Sequence, residues 1–407
     1  MDDGTTHRDR DRAAIPAVSA WRATSAGFCA TLVGIGMARF AYTPLLPAII
    51  AAHWFGASTA AYLGAANLAG YLAGAVFGRP AAQRLSAPVV IRGTMLLAAV
   101  AFLACAYPMP FAWFFLWRFA SGLAGGMLMV LAAPTVLPHV PPSRRGLAGG
   151  VIFMGVGVGI AASGTLVPLL LREGLGETWL GLGIVALLLT AIAWGGWPRD
   201  AAPSAAATVH HRPHRPLALR ALYGEYALNA VGLVPHMIFL VDFVARGLGQ
   251  GLQAGAEYWV LFGLGAMAGP ILTGHLADRT GFGPALRLAF LLEGAAVIIP
   301  AFGLGPGWLM LSSIVVGAFV PGIGTLTLGR IHEVLLHHPS EQRAAWSMAT
   351  TCFAVLQAAG AYGMTFLFAH NGGDYHMLFL LGAAAMALAL AVDLAATLVD
   401  GRRSTQL

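Results

Sequence analysis

Long apolar runs alternate with short polar or glycine- and proline-rich breaks along almost the whole chain. A helix needs about 20 mostly apolar residues to cross a hydrocarbon core about 30 Å thick, and many of the runs reach that length. Backbone groups find no water in that core, so the runs must be helical. The pattern predicts twelve spans, at 27–51, 57–78, 89–107, 111–136, 147–171, 179–197, 221–244, 255–277, 284–304, 308–329, 344–369 and 375–399.

Composition supports a membrane protein, because the 407 residues are 58% hydrophobic and only 10% charged, with a mean hydropathy of +0.75. About a quarter of the residues in soluble domains are charged. The net charge of +6 does not indicate a nucleic-acid partner, since all 23 basic residues are arginines that sort by side of the membrane. With a cytoplasmic N-terminus, only Arg172 and Arg246 fall outside, while Arg39 and Arg118 lie within spans. The positive-inside rule therefore predicts cytoplasmic termini, and we expect a multi-pass protein of the bacterial cytoplasmic (inner) membrane.

The longest polar interruption, PRDAAPSAAATVHHRPHRP, separates six predicted spans from six. We therefore predict an N-terminal tail (1–21), a first six-helix bundle (22–197), a cytoplasmic linker (198–220), a second six-helix bundle (221–400) and a C-terminal tail (401–407). Three histidines of the linker, His210, His211 and His214, could bind a metal, but no second ligand cluster accompanies them. A solvated basic linker is the favoured interpretation, and no metal site is predicted.

Aromatic and sulfur-containing residues fit the same segmentation. All ten tryptophans lie near a predicted span end, where the amphipathic indole ring prefers the headgroup level. The three cysteines, Cys29, Cys105 and Cys352, fall inside apolar runs and form neither a disulfide framework nor a metal motif. We interpret them as small packing residues.

The two halves repeat weakly at an offset of about 196 to 198 residues. This shift aligns Gly78 with Gly274, the segment 141–150 with 338–347, and Arg39 with His236. Two homologous bundles around a site near the midplane are a common plan of secondary transporters.

The segment GHLADRTGFGPAL follows the eighth span and resembles the loop signature of the major facilitator superfamily. An aspartate and an arginine at a helix end can pair with a neighbouring helix end in one state and release it in another. This chain differs from the signature in two ways. Phe282 and Gly283 replace its basic pair, and the corresponding segment of the first half has Ala82 and Gln83 in place of the aspartate and arginine. The resemblance predicts a gating motif made of Gly274, Asp278, Arg279 and Gly281.

Further segments carry narrower resemblances. RFASGLAGG in the fourth span is similar to a second motif of the superfamily, in which Arg118 precedes a glycine-rich face. The fifth span only partly matches the antiporter motif, because Ile160 replaces its proline, which weakens the case for a drug/proton exporter. GIGMARFAYTPLLP, GLVPHMIFLVDFVARGLG and YWVLFGLGAMAGP resemble the YbfB/YjiJ-type branch. That branch implies the all-α superfamily fold, with two pseudo-twofold-related bundles and twelve transmembrane helices, but no agreed substrate.

Arg39 is a charged residue inside the first span, where a position facing lipid costs a few kcal/mol. It could form a structural ion pair or clamp a carbonyl, or it could bind an anionic group of a solute. We favour solute binding, because Tyr42 and Thr43 extend a polar face at i+3 and i+4. Pro44 and Pro47 bend the outer end of this helix. The predicted substrate-binding residues are Arg39, Tyr42, Asn67, Arg118, Asn229, His236 and Gln357.

The seventh span carries a polar stripe of Glu225, Asn229, Gly232 and His236 on one helix face. We expect this stripe to lie opposite Arg39 across the pseudo-twofold axis. Histidine titrates near neutral pH, so His236 could carry a coupling proton. Glu293 lies in the ninth span, which the resemblance makes an outer support, so we expect it protonated or paired inward, with a structural role favoured over a coupling role. The candidates for proton coupling are Glu225, His236 and Glu293.

These features predict a secondary active transporter, powered by a proton or solute gradient, that moves a small organic solute by alternating access; the two arginines favour a solute with an anionic group. A drug/proton antiporter and a non-transporting membrane sensor are the alternatives. An enzyme is not expected, because the sequence contains no nucleophile or metal motif and no nucleotide-binding domain. We predict a monomer in the lipid bilayer whose partners are its solute and protons, without a cofactor.

Overall fold

A computed structural model describes residues 19–198, 217–336 and 338–404. Within these ranges the chain is helical and contains no β-strand. Eleven helices are long and apolar enough to cross a membrane. The predicted all-helical membrane architecture is therefore confirmed. Most of the predicted tails and linker, including His210, His211 and His214, lies outside the described residues.

The first half consists of helices α1 to α7, joined by short turns. Their bounds are α1 Ala20–Thr31, which continues as a π-helix over Leu32–Met37, α2 Tyr42–Ala51, α3 Ala57–Leu85, α4 Ala87–Ala104, α5 Phe111–Val136, α6 Arg145–Leu170 and α7 Leu175–Ala193. Two short 3₁₀ turns, Leu137–His139 and Pro142–Arg144, connect α5 to α6.

The second half consists of helices α8 to α14. Their bounds are α8 Leu217–Val234, a π-helix Pro235–Phe239, α9 Leu240–Asp242, a second π-helix Phe243–Gly247, α10 Gly251–Thr280, α11 Phe282–Ile298, a 3₁₀ turn Ile299–Phe302, α12 Pro306–Val334, α13 Pro339–His370 and α14 Tyr375–Ser404. The helical run from Leu217 to Gly247 forms a single candidate span despite its two π-helical segments.

The second predicted span, 57–78, lies inside α3 but is not among the eleven candidates. Its sequence, ASTAAYLGAANLAGYLAGAVFG, is rich in alanine and glycine, which are less hydropathic than leucine or isoleucine. Small residues let this helix approach α5 closely, and close approach is their usual use in membrane bundles. A crossing by α3 remains a prediction.

The two halves meet along α6 and α10, where small residues bring the backbones together. A Cβ added to Gly157 of α6 would lie 2.2 Å from the carbonyl carbon of Ala266 in α10. A Cβ added to Gly263 of α10 would lie 2.5 Å from the backbone nitrogen of Ala161. Neither glycine can be replaced without moving a helix, so this seam depends on the missing side chains. A second contact between the halves joins α3 to α13.

Four tryptophans differ from the expected position at the headgroup level. The side chains of Trp179, Trp197, Trp259 and Trp346 are buried inside the protein, each with no more than 2% exposed. Trp113, Trp194 and Trp308 remain exposed. The position of a tryptophan along a span therefore gives its depth in the membrane but not the direction in which its ring points.

Candidate functional site

The first membrane helix breaks where Arg39 lies. Gly34 and Gly36 allow the wide π-helical turn, in which the backbone N–H of Ala38 donates to the carbonyl of Val33 over 3.0 Å. Residues 38–41 then form turns before α2 begins at Tyr42. Pro44 has no N–H to donate to the carbonyl of Phe40, which favours a break at this point.

Arg118 of α5 holds this break from within the first half. Its Nη1 donates to the carbonyl of Ala38 over 3.0 Å, and the Oγ of Ser121 donates to the same carbonyl over 3.2 Å. The guanidinium carbon lies 4.2 Å from the centre of the Tyr42 ring. Only 3% of Arg118 is exposed, and its Nε has no partner among the described residues. Arg118 therefore supplies a donor to the carbonyl that the broken helix leaves free, and its predicted role in binding a solute remains a prediction.

Two other residues of the predicted binding set support the same arrangement. Asn67 of α3 is buried, and its Nδ2 donates to the carbonyl of Arg118 over 3.3 Å. The hydroxyl of Tyr42 donates to the carbonyl of Ala60 over 2.7 Å. Both side chains thus have structural contacts, and a role in binding a solute remains a prediction for each of them.

Arg39 is held differently. Its side chain is half-buried, and the guanidinium carbon lies 5.3 Å from the centre of the Phe40 ring and 5.4 Å from that of Tyr71. The adjacent Phe40 ring lies 6.2 Å from the ring of Trp259 in α10, so Arg39 lies where the two halves meet. Among the described residues, no hydrogen bond or ion pair engages its guanidinium. Aromatic faces attract a cation but leave its N–H groups free, so this arginine can accept an anion between the halves.

An aromatic cluster joins α6, α8 and α13 near the end of the bundle that the positive-inside rule predicts to be cytoplasmic. It consists of Phe153 of α6, Tyr226 of α8, and Trp346 and Phe353 of α13; the Tyr226 ring lies 6.1 Å from the Trp346 ring and 4.6 Å from the Phe353 ring. The Nε1 of Trp346 donates to the carbonyl of Met129 in α5 over 3.1 Å, across the two halves. Sequence reasoning placed Trp346 at the membrane surface and missed this cluster. Its signal is the spacing of Trp346 and Phe353, seven residues apart on one helix face.

The predicted gating motif lies at the end of α10. Gly281 adopts φ +82° between α10 and α11, and its N–H donates to the carbonyl of Ala277 over 2.8 Å. The Oδ1 of Asp278 lies 3.5 Å from where a Cβ would stand on Gly146, in the first turn of α6. A carboxylate beside the first turn of another helix is favourable, because the free N–H groups there carry a partial positive charge. A gating function for Gly274, Asp278, Arg279 and Gly281 remains a prediction.

The polar stripe of α8 points into the second half and not toward Arg39. The Nδ2 of Asn229 donates to the Oε2 of Glu293 in α11 over 2.9 Å. The Nε2 of His236 lies 2.8 Å from the Oγ of Ser312 in α12, and this hydroxyl donates to the carbonyl of Ala296 over 2.7 Å. The predicted pairing of His236 with Arg39 across the axis is therefore wrong. Periodicity identifies which residues share a helix face, but it does not say which neighbour that face meets.

The remaining candidates also lie inside the second half. Glu293 is fully buried and points inward to Asn229. Gln357 of α13 is buried, with its Nε2 3.5 Å from the sulfur of Met237 and its Oε1 without a partner in the described chain. Asp393 of α14 is buried and forms an ion pair with Arg287 of α11. The described residues contain no group of three or more histidine, cysteine, aspartate or glutamate side chains suited to a metal ion.

Comparison with known proteins identifies the family. A family model described as "Uncharacterised MFS-type transporter YbfB" matches residues 31–394, which is most of the chain. The chain belongs to this family of the major facilitator superfamily. The resemblance inferred from the short motifs is thereby confirmed over nearly the whole length.

One curated relative and one solved structure also match most of the chain. A Haemophilus influenzae protein, provisionally named a metabolite transport protein, is 24% identical over 317 residues, which cover 72% of this chain and 76% of the relative. The crystal structure of a bacterial homologue of the iron transporter ferroportin, in an outward-facing state, matches with a TM-score of 0.66 at 14% identity. That match covers 93% of this chain and 99% of the other, and it shows a shared fold. The protein is thus a multi-pass membrane protein of the transporter type.

Proposed function

We propose that this protein is a proton-coupled secondary transporter that moves a small organic anion across the bacterial inner membrane by alternating access. In this proposal α3 completes twelve spans, the two six-helix bundles are related by a pseudo-twofold axis, and both termini are cytoplasmic. The protein works as a monomer without a cofactor and catalyses no chemical reaction. The solute and protons are its small-molecule partners.

The observation that carries the proposal is the free guanidinium of Arg39. A charge within a span costs about 2.5–3.5 kcal/mol on insertion scales, so it is retained where it has a partner or a function. Arg118 meets that requirement with the carbonyl of Ala38, whereas Arg39 has only aromatic faces beside it. Its position between the two halves is where a solute site reached from alternate sides would lie. An anionic group, such as a carboxylate, would give this guanidinium the hydrogen-bonded partner it lacks.

Movement between the halves has a structural basis in the seam of α6 and α10. The close approach at Gly157 and Gly263 leaves few side chains to interlock, so the helices can pivot on one another. The aromatic cluster of Phe153, Tyr226, Trp346 and Phe353 would open when the cytoplasmic side opens. In the present arrangement this cluster is assembled, so the same proposal assigns the structure to a state closed toward the cytoplasm.

Proton coupling in this proposal belongs to the second half. Glu225, Glu293 and His236 are the buried ionisable side chains there that carry no opposite charge as an ion-pair partner among the described residues. His236 is engaged with Ser312, and the carboxyl groups are therefore the stronger candidates. The solute would be held in the space beside Arg39, and the proton would be held behind α8.

Thermal-shift measurements on the purified protein test the solute site. The panel contains small carboxylates, phosphate esters and neutral solutes of similar size, because a ligand that binds only the native state raises the melting temperature. A stabilisation of about 2.7 kcal/mol is expected at a hundredfold excess over the dissociation constant. We expect anionic members to raise the melting temperature, and the shift to vanish in Arg39→Ala. The matched control is Arg172→Ala, which removes an exposed arginine and should leave the shift intact. A shift that survives in Arg39→Ala would refute the assignment.

A further inference from the structure

A polar cavity opens at the end of the second half where α8 and α11 begin and α12 and α14 end. It has a volume of about 350 Å³ and is lined by Glu225, Arg287, Arg330, Asp393 and Thr397 among apolar residues. Arg287 pairs with Asp393, and its Nη2 donates to the Oγ1 of Thr397 over 2.7 Å. The positive-inside rule assigns this end of the helices to the cytoplasm. We call this cavity the vestibule.

Glu225 is the one lining carboxyl that forms neither a hydrogen bond nor an ion pair with another described residue. Arg330 pairs with Glu333, and Arg287 pairs with Asp393, so both arginines of the vestibule already have carboxylate partners. Glu225 lines the vestibule although only 2% of the residue is exposed. A buried acid left facing a polar cavity is suited to exchanging a proton with water that enters from the cytoplasm.

A file of polar side chains continues inward from Glu225. Asn229 lies one helical turn further along α8 and donates to Glu293, which is fully buried. The Oδ1 of Asn229 and the Oε1 of Glu293 are both buried without a partner among the described residues. A buried polar atom without a partner costs about 1–3 kcal/mol, so two of them side by side require an explanation beyond packing. An exchange of protons at the Glu293 carboxyl group is such an explanation.

Among the described residues, Asn229 of α8 is the one that bonds to the Glu293 carboxyl. The charged side chains that line the vestibule with Glu225 are Arg287 of α11, Arg330 of α12 and Asp393 of α14. His236 bonds to Ser312, whose hydroxyl donates to Ala296, one turn from Glu293. Arg39 contacts none of them. Tyr226, one residue after Glu225, points from a different face of α8 toward Trp346 and Phe353 of α13, so the polar file and the aromatic cluster lie on different sides of this helix.

We propose that protons reach Glu293 from the cytoplasm through the vestibule, with Glu225 as the first acceptor, along a route separate from the solute path. A proton from cytoplasmic water binds the Glu225 carboxylate and passes by way of the polar file to Glu293, while each carboxyl returns to its earlier state when the proton leaves. This proposal rests on the proposed coupling to protons. It adds the side of the membrane from which the coupling group is loaded.

Carbodiimide labelling in sealed vesicles tests the route without any solute. Dicyclohexylcarbodiimide is membrane-permeant and modifies protonated carboxyl groups in apolar surroundings, and mass spectrometry of peptides locates the adduct. Right-side-out and inverted vesicles are prepared separately, with the pH of each compartment set independently. We expect Glu293 to be modified at a rate that falls as the cytoplasmic pH rises, by up to about tenfold per pH unit, and that ignores the external pH. The adduct should be absent from the Glu293→Gln variant, which has no carboxyl group at this position.

A second measurement reports on the vestibule itself. Ala221→Cys, in a background without the native cysteines, should react with a membrane-impermeant thiol reagent from the cytoplasmic side alone. Modification of Glu293 that follows the external pH, or that ignores the pH on both sides, would overturn the proposal. Reaction of Ala221→Cys from the outside, or none from either side, would overturn it as well. These failures would leave any anion-dependent thermal shift at Arg39 untouched, so the route and the solute site are tested separately.

Discussion

The two halves treat their buried ionisable side chains in opposite ways. The first half contains two arginines within its spans; Arg118 is fixed to the carbonyl of Ala38, and Arg39 is left free where the halves meet. The second half keeps its acids behind α8, where Glu293 bonds to Asn229 and Glu225 faces a separate cavity. The first span of each half contains a π-helical segment, yet Arg39 beside the first segment and His236 within the second have different surroundings. A weak repeat in sequence thus does not place corresponding residues in one site.

The largest expected effect on stability separates the two arginines of the first half. Arg118→Ala removes the donor to Ala38 and the cation beside the Tyr42 ring, which together should lower the free energy of unfolding by about 2–3 kcal/mol. Arg39→Ala removes no hydrogen bond, only the longer contacts with the Phe40 and Tyr71 rings, and should change it by about 1 kcal/mol or less. Denaturant unfolding in detergent micelles measures both variants. Equal losses for the two would mean that Arg39 is also a structural clamp.

A smaller effect is expected where the halves meet on the cytoplasmic side. Trp346→Phe removes the bond to the Met129 carbonyl and should weaken the closed state by about 1 kcal/mol. Such a change shifts an equilibrium about fivefold, so Ser347→Cys should react correspondingly faster with an impermeant thiol reagent added from the cytoplasm. The reaction rate of this cysteine is measured in a variant that lacks the three native cysteines. Trp308→Phe, which changes an exposed ring, is the matched control. If Ser347→Cys reacts at the same rate in the Trp346→Phe and Trp308→Phe variants, the aromatic cluster is not part of the gate.

The turns that follow α3 and α10 offer a comparison of backbone strain. Ser86 adopts φ +73° and ψ 146°, close to the φ +82° and ψ 160° of Gly281, in a region that only glycine adopts readily. Ser86→Gly should raise the free energy of unfolding by about 1 kcal/mol, and Gly281→Ser should lower it by a similar amount. Thermal unfolding of the two variants measures this. A destabilised Ser86→Gly would show that the serine side chain contributes a contact worth more than the strain.

The smallest change in stability is expected at Glu293. Glu293→Gln preserves the shape and the polar contact with Asn229, so the free energy of unfolding should change by less than about 0.5 kcal/mol. Asp393→Asn is the contrasting variant, because it leaves Arg287 without its carboxylate partner and should cost more. Denaturant unfolding in micelles compares the two. A loss above about 2 kcal/mol in Glu293→Gln would mean that the fold depends on an ionised carboxylate there.

Sequence patterns predicted much of the fold because span length and hydropathy are local properties. The predicted spans 111–136 and 147–171 fall within a few residues of α5 and α6, and the polar stripe of α8 does share one face. The direction of that face could not be predicted, because periodicity contains no information about which helix packs against it. Alanine and glycine in α3 pack well between helices but add little hydropathy, so its status as a span is less evident from composition.

Candidate residues were found by type, but their assignment to a site depended on packing. Arg39 and Arg118 look alike in sequence, since each is a cation in an apolar run. The structure distinguishes them because Ser121 and Arg118 converge on a carbonyl freed by the break, which no pattern in α5 predicts. The aromatic cluster around Trp346 was not predicted, because an indole near a span end usually lies at the membrane–water interface.

Counterflow in proteoliposomes tests the central claim, that the free guanidinium of Arg39 binds the transported anion. Vesicles are loaded with an unlabelled anion that raised the melting temperature, and uptake of the labelled anion is followed from outside. We predict transient accumulation by the natural protein and by Arg172→Ala, and none by a correctly folded Arg39→Ala. Undiminished counterflow in Arg39→Ala would contradict the account.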